Sequence, residues 1–564
     1  MNGKEKKIRI AILCRGYDFD AWEAECIRQV KQLPFVEIVL LISDSKHKEK
    51  PNGFFHKLLH YPYRNFLWRF YKRFRLKIPS YVSVSLEKEL KSIPNISCEP
   101  ELKGKYSQHF CDADIRKIKS FQPDVILRFA FNILRGEILT VAQYGVWSFH
   151  HADEQMIRGG PAAFWEMYNN IPVTAAILQR LTEKLDAGII LRKGYFPTIR
   201  HSYKGNLEQL LSGTTSWMKQ ALIDVANGIS PALNGKPIVT EAKIYSFPKN
   251  FQMIYFIRKR RLQKMKFHFR ELFRPEQWNI GIVNQSVEET ISNGIKNVEW
   301  LSEPKSNEYF ADPFGWMEKD DLKIVFENYS YRKQKGILSS VVSKDNRTTG
   351  TITTLLDAKI HLSYPFVLER LDDAAKNRVI LPEASQSNTV FCFDSANPKN
   401  GQLLIKDIPA IDSTPVFHNN NWWIFCTHEG EFNNTNLFLY HAKNFDGPWT
   451  AHENNPVKCD VRSSRPGGTP FLLNGKLYRP AQDCSNGYGS AIVINEITEL
   501  SEISFSEKNI ARIAPDGKWK FSKGLHTFSI VGKDTILIDA KRYNFNFDNF
   551  THVLGKKTKR IFRK

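Results

Sequence analysis

Through the first 235 residues, short apolar runs alternate with longer stretches in which apolar residues recur every three to four positions. The runs 9–13, 36–42, 125–127 and 145–149 are rich in Val, Ile and Leu and bounded by turn residues, which predicts buried strands. Between them, 22–31 and 115–120 carry helical spacing, and 207–225 predicts one helix that closes the unit. This alternation predicts a Rossmann-like α/β domain over residues 1–235, its parallel sheet covered on both faces. An insertion at 45–95 breaks the rhythm, and its segment 53–77 is dense in Lys, Arg and aromatic residues with no acid. Such a segment suits a helical hairpin packing its aromatic side on the domain, or a surface lying on an anionic membrane. A basic amphipathic pattern alone specifies little, so the packed hairpin is the simpler expectation.

Beyond residue 300 the period shortens to that of strands and turns. Related units recur at Ala311-Asp-Pro-Phe314, Ser363-Tyr-Pro-Phe366, Ser413-Thr-Pro-Val416, Gly468-Thr-Pro-Phe471 and Leu525-His-Thr-Phe528, with prolines at 313, 365, 415 and 470. Strand pairs follow them, such as Trp422-Trp-Ile-Phe-Cys426 and the segment after the Asn474-Gly475 turn. A repeat of this length, one four-stranded sheet per unit, predicts an all-β five-bladed propeller over 301–550. Residues 236–300, with Arg258-Lys-Arg-Arg261, read as a basic linker, and 551–564 as a basic tail.

Length and charge narrow the picture. A chain of 564 residues exceeds what one core organises, in keeping with a multidomain protein. No segment approaches the run of about 20 apolar residues that crosses a bilayer. The N-terminus passes from lysines straight into a strand, so the expectation is a cytoplasmic protein, with peripheral contact at the inner membrane surface left open. The net charge of +21 favours anionic partners. No RNA-binding motif accompanies the basic runs, so nucleic acid is set aside. The eight cysteines form no C-x-x-C pair and no zinc spacing, so they are expected to be mostly reduced and buried, with no metal. Gly16 follows the first strand without a G-x-G-x-x-G, which argues against a nicotinamide cofactor.

The candidate chemistry lies in Val146-Trp-Ser-Phe-His150 through Arg158-Gly-Gly160, followed by Leu185-Asp186-Ala-Gly188. The strand delivers His150 to its carboxyl end, where open α/β sheets collect catalytic groups. Arg158, Gly159 and Gly160 offer a loop whose backbone can approach a ligand closely. His150 is placed to take a proton from an attacking amine, and Asp186 to stabilise the imidazolium. A core histidine and an ordinary Asp-x-Gly turn are the competing readings. His151 reads as structural by strand alternation, and Thr174 and Gln179 as polar neighbours on the next strand. Together the residues suggest acyl transfer to an amine.

This arrangement resembles the formyltransferase fold of methionyl-tRNA formyltransferases and sugar N-formyltransferases, whose pattern is Asn-x-His, an Arg-Gly loop, then Leu-Asp-x-Gly. The resemblance implies 10-formyltetrahydrofolate as formyl donor, His150, Asp186 and Ser148 as catalytic residues, and Arg158, Gly159, Gly160 and Gly188 on the folate side. Ser148 stands where that family has its asparagine, and losing an oxyanion donor typically costs about 100- to 1000-fold in rate. The second half is similar to the propellers of the arabinanase and β-xylosidase class, and more closely to the propeller-like N-terminal domain of plant glucosamine inositolphosphorylceramide transferases. That similarity rests on Ala311-Asp312-Pro313-Phe314, Pro382-Glu383, Asp446-Gly-Pro-Trp449, Asp460-Val-Arg-Ser-Ser-Arg465-Pro and Tyr478-Arg-Pro-Ala-Gln-Asp483, and it implies carbohydrate. Asp312, Glu383 and Asp412 are then candidate channel acids. Arg462, Arg465, Arg479 and Asp483 are candidate sugar- or anion-binding residues, with ion pairing between blades as the alternative.

The expectation is therefore an N-formyltransferase-like enzyme acting on an amino sugar, nucleotide- or lipid-linked, in surface-glycan biosynthesis. Two alternatives stand beside it: another acyl or glycosyl transferase or hydrolase working through the propeller, and a non-catalytic glycan-binding protein with a decayed transferase domain.

Overall fold

The computed structural model describes residues 7–44, 63–104, 106–185, 187–344, 347–348, 350–370 and 378–562. The chain divides into two compact units, Met1–Gln263 and Lys264–Lys564.

The first unit is organised by a seven-stranded sheet. Its strands β1 (Ile8–Cys14), β2 (Val36–Asp44), β3 (Asn95–Cys98), β4 (Val125–Arg128), β5 (Val146–His150), β6 (Val173–Arg180) and β7 (Ile189–Pro197) lie in the order β7-β6-β5-β4-β1-β2-β3. The pairs from β3 across to β5 are parallel. β6 runs antiparallel to β5 and β7 antiparallel to β6, so the sheet is mixed rather than parallel throughout. For β6 and β7 the reason is local: only residues 181–188 separate them, too few for the crossover that parallel neighbours need.

Ala11, Leu13, Leu40, Ile42, Ile126 and Val146 are buried in one core with Ile115 and Ile118 of the helix Asp112–Ser120. The helix Ala21–Lys31 buries Ala24, Ile27 and Val30 at helical spacing and starts on a capping box between Asp20 and Glu23. The single helix expected at 207–225 is two, Tyr203–Ser212 and Trp217–Ala226, with the chain turning at residues 213–216.

Of the basic aromatic insertion, 45–62 lie outside the described residues. The helix Phe66–Phe74 buries Trp68 and Tyr71, with Trp68 against Phe164, Tyr203 and Phe247. Phe66, Phe70 and Phe74 remain exposed on its other side. One aromatic face thus packs as expected and a second does not.

Among the described residues the second unit contains five antiparallel sheets. Four follow in chain order, led by Glu308–Glu318, Ser363–Glu369, Ala410–His418 and Phe471–Leu473. The fifth joins both ends of the unit: Glu276–Asn284 lies between Glu299–Trp300 and Thr535–Tyr543, with Phe528–Val531 beyond. Part of the expected linker at 236–300 therefore belongs to a sheet, because Ile280, Ile282 and Val283 take buried positions beside Ile536 and Ile538. The rest of that stretch includes the helix Asn250–Phe273, and the basic tail forms the helix Phe547–Phe562. Among the described residues no helix is long and apolar enough to cross a membrane. Seven of the eight cysteines are buried thiols, and Cys111 is exposed.

Candidate functional site

β4 and β5 run side by side, so their last residues, Arg128 and His150, come together at the carboxyl edge of the sheet. Ser148 lies two residues before His150 on the same face, opposite Gln179 of β6. Arg128, Ser148, His150, Gln179 and Gly188 line one cavity of about 130 Å³ together with residues from 132–135 and 181–185. A side chain at Gly188 would meet the Gln179 Oε1 at 2.4 Å and the Arg180 carbonyl at 2.6 Å, so glycine is what lets this turn close on β6. Asp186, the expected partner of His150, lies outside the described residues.

Arg128 is a member of this site that sequence reasoning missed. Its Nη1 donates to the Ser148 hydroxyl at 2.8 Å, and its Nη2 donates to the carbonyls of Phe131 and Asn132 at 2.7 and 2.8 Å. Its Nε is buried and has no hydrogen-bond partner among the described residues, as is true of the Gln179 Oε1. No carboxylate pairs with this guanidinium among the described residues, and burial pulls it down to about 10. The group remains a cation at neutral pH. The one clue in the sequence is its place, a cation ending the apolar run Val125-Ile-Leu, at the same strand edge that draws attention to His150.

The Arg158-Gly-Gly loop departs from expectation. Residues Arg158–Gly159 pair as a short strand with Ile244–Tyr245. The Arg158 amide donates to the Lys243 carbonyl at 3.1 Å and the Gly160 amide to the Tyr245 carbonyl at 3.3 Å. Arg158 and the two glycines do not line the cavity. Gly159 is explained by backbone instead of ligand: its φ is +83°, and a Cβ there would stand 2.2 Å from the Tyr245 oxygen. Arg158 reaches toward the Leu185 carbonyl. His151 stacks on Phe149 and meets Trp22 edge-on, and burial with the neighbouring His150 holds it down to about 3, neutral at physiological pH. Thr174 is fully buried and bonded to Thr198 and Asn206, a structural role.

In the second unit, the leading strands of three successive sheets each bulge at a residue with positive φ: Asp312 (52°), Tyr364 (42°) and Asp412 (53°). The bulges aim these side chains at one buried cluster. Asp539 accepts from the backbone amides of Asp312, His526 and Thr527 at 2.8, 3.1 and 3.0 Å and pairs with His526 Nδ1 at 2.6 Å. His526 Nε2 lies 3.2 Å from Asp312, which also accepts from the Thr527 hydroxyl at 3.1 Å and the Tyr364 amide at 3.3 Å. Burial acts to lower the His526 pKa, but Asp539 and Asp312 outweigh it and raise it. Asp312, His526 and Asp539 also lie close enough to share a cation, although His526 itself supplies a counter-charge there.

Asp412 is held by Arg465 Nε at 2.6 Å and Gln482 Nε2 at 3.0 Å. Glu383 and Glu327 are buried in the same neighbourhood, and burial, with the nearby acids, raises both. The expected acids thus converge, but Asp312 and Asp412 are committed to internal partners. Hydrolysis of a glycosidic bond needs two carboxylates flanking it, and in this cluster Asp312 and Asp412 are held by His526 and Arg465.

A separate cavity of about 640 Å³ is lined by Asp460, Arg462 and Asp483, with Lys458, Asn495 and Arg512 among its other residues. Arg462 forks onto Asp460 at 2.9 and 2.8 Å, and Asp483 accepts from Arg512 at 2.9 Å. Arg465 and Arg479 are not part of it. Arg479 is fully buried, donating to Glu507 at 3.0 and 2.7 Å and to the carbonyls of Ser463 and Ser464. Its pairing partner lies in the same sheet, so it secures the loop before the sheet rather than meeting a ligand.

The family described as "Glucosamine inositolphosphorylceramide transferase 1, N-terminal" matches residues 271–523. Glucosamine inositolphosphorylceramide transferase 1 of Oryza sativa subsp. japonica is 30% identical over 208 residues, covering 35% of this chain and 27% of its own. The chain thus spans about a quarter of the length of that relative. Methionyl-tRNA formyltransferase of Halalkalibacterium halodurans is 26% identical over 146 residues, covering 26% of this chain and 42% of its own. Both relatives are transferases. Among solved structures, a thermostable family-43 glycoside hydrolase covers 38% of this chain and 83% of its own, at 11% identity and a TM-score of 0.31.

Proposed function

We propose that the first unit transfers a formyl group from 10-formyltetrahydrofolate to the amine of an amino sugar carried on a nucleotide or lipid. We propose further that the five sheets of the second unit are the blades of a propeller that holds carbohydrate. The observation that carries the reading is the meeting of Ser148, His150 and Gly188 around one cavity with Arg128, which has no carboxylate partner among the described residues. The small volume suits a one-carbon acyl group, and the unpartnered Arg128 Nε and Gln179 Oε1 suit a polar guest. Residues 132–135 and 181–185 would hold the pterin side. When bound, the donor supplies an electrophilic carbonyl carbon. The amine nitrogen bonds to that carbon as the bond to the donor nitrogen breaks; His150 takes the amine proton and returns it to the departing nitrogen. Ser148, bonded to Arg128, lies on the side of the carbonyl oxygen. The similarity to a formyltransferase and to a transferase of glycolipid name supports a transfer reaction in glycan assembly.

The test is incubation with 10-formyltetrahydrofolate and a panel of amino sugars on nucleotide carriers, read by mass spectrometry. Product heavier by one CO is expected from the intact protein and none from His150→Ala. Undiminished turnover by that variant rejects the assignment. The 640 Å³ polar cavity favours a second reading for the second unit alone, sugar binding without chemistry, since its lining is charged and amide-rich.

A further inference from the structure

An arginine buried without a counter-ion is costly, because desolvation of the charge is not offset by a partner. Arg128 is half-buried, with its Nε fully covered, and has no carboxylate partner among the described residues. Three of its hydrogen bonds go to neutral acceptors, Ser148 and the carbonyls of Phe131 and Asn132, and these fix the plane of the guanidinium. Nε and the second hydrogen on Nη1 are left over, with Nε buried. Of the described residues lining the cavity, Arg128, Arg135 and Lys184 are basic and none is acidic. The Ser148 hydroxyl accepts from Arg128 and donates weakly to the Phe149 carbonyl at 3.4 Å, so its proton is not aimed at a guest.

We infer that Arg128 is the anion receptor of this cavity, taking a one-carbon oxyanion through its unused N–H groups, and that Ser148 is a positioning residue that orients it. This rests on the formyl-transfer reading for its role in turnover: the oxygen of the formyl carbon gains negative charge as the amine bonds, and loses it when the donor nitrogen leaves with the proton from His150. A guanidinium whose plane is fixed by three hydrogen bonds is suited to that charge because its donors need little reorganisation. It takes over the task that a side-chain amide at position 148 would otherwise perform.

Sodium formate is the probe, titrated by calorimetry into the full chain at constant ionic strength. Saturable one-site binding is expected for the native protein and for the exposed control Arg116→Met, with at least about tenfold weaker binding in Arg128→Met. Because the charge removed is partly buried and has no carboxylate partner among the described residues, the melting temperature of Arg128→Met is expected to be unchanged or higher. If that variant does not fold, Arg128→Lys, which keeps the charge but not the fork, is expected to weaken binding and stands in its place. Formate binding that is absent in the native protein, or equal in the Arg128 variants, overturns the proposal. In turnover, kcat should fall about 100- to 1000-fold in Arg128→Met with KM little changed, and a change confined to KM overturns the role in transfer. Arg128-dependent formate binding without formylated product would sink the reaction and leave the receptor. Formylation undiminished in Arg128→Met would do the reverse.

Discussion

A methyl group on Gly159 would stand 2.2 Å from the Tyr245 carbonyl oxygen, on a backbone whose φ of +83° disfavours any side chain. Gly159→Ala is therefore expected to destabilise the first unit by about 1–3 kcal/mol, read as a lower urea midpoint, with no direct effect on the cavity that the residue does not line. A glycine in the sequence marks such a point but cannot show what comes close to it, and here the neighbour is the chain's own strand at 244–245. His150 is legible because it ends an apolar strand in company with Ser148 and a Leu-Asp-x-Gly turn. Arg128 ends an apolar strand too, but an arginine at a strand end is ordinary, and only the lack of a counter-ion among the described residues sets it apart. That absence is a property of three-dimensional surroundings. The acids Asp312 and Asp412 are legible as a set, while Asp539, which ties the first of them to His526, carries no motif around it.

At the scale of elements, strands are legible where they are apolar and short, since Val, Ile and Leu runs bounded by turns have one stable use in a covered sheet. Pairing direction is not, because β6 and β7 differ from a parallel pair only in the brevity of their connection. The proline repeat marks the leading strands of the second unit, yet the equivalent positions are the bulged residues Asp312, Tyr364 and Asp412, the last of which has no proline directly after it. Bulge geometry, not a proline at a fixed place, is what the first three of these sheets share. In the sheet formed by Phe471–Leu473 onward, the buried Glu507 carboxylate is shared by two cations, Arg479 at 2.7 Å and Lys458 at 2.6 Å. Breaking such a buried group from one side leaves charge uncompensated, so Glu507→Ala is expected to cost about 3–5 kcal/mol. Calorimetry of the full chain measures it, and a loss under about 1 kcal/mol would show the pairing to be a surface interaction in effect.

For the whole molecule, two units with separate cores predict two unfolding transitions, and their ionisable interiors make them respond differently to alkali. In the second unit His526, packed on Trp278 and Tyr488 and bonded to Asp539 and Asp312, has its pKa raised, and Glu383 is raised by burial and by Asp412. Both hold more protons folded than unfolded. Their contribution is complete below the unfolded values, about 6.5 for histidine and 4.3 for glutamate, and is lost as pH rises through the raised ones, because the unfolded chain has by then already released those protons. In the first unit Glu23 and Glu166 are pushed up by burial only to about 7, so their loss is largely finished there. His151, held down to about 3, contributes stability that fades as pH falls below about 6.5 and is constant above it. Between about pH 7 and 9, then, the transition of the second unit should move to lower temperature while that of the first stays nearly fixed. Burial and Asp412 push Glu383 up to about 8, so Glu383→Gln, neutral at every pH, should flatten that slope. Scanning calorimetry across this window decides the matter: parallel shifts of both transitions, or a slope in the second that is undiminished in Glu383→Gln, would mean that the buried acid cluster does not govern the alkaline limit of this fold.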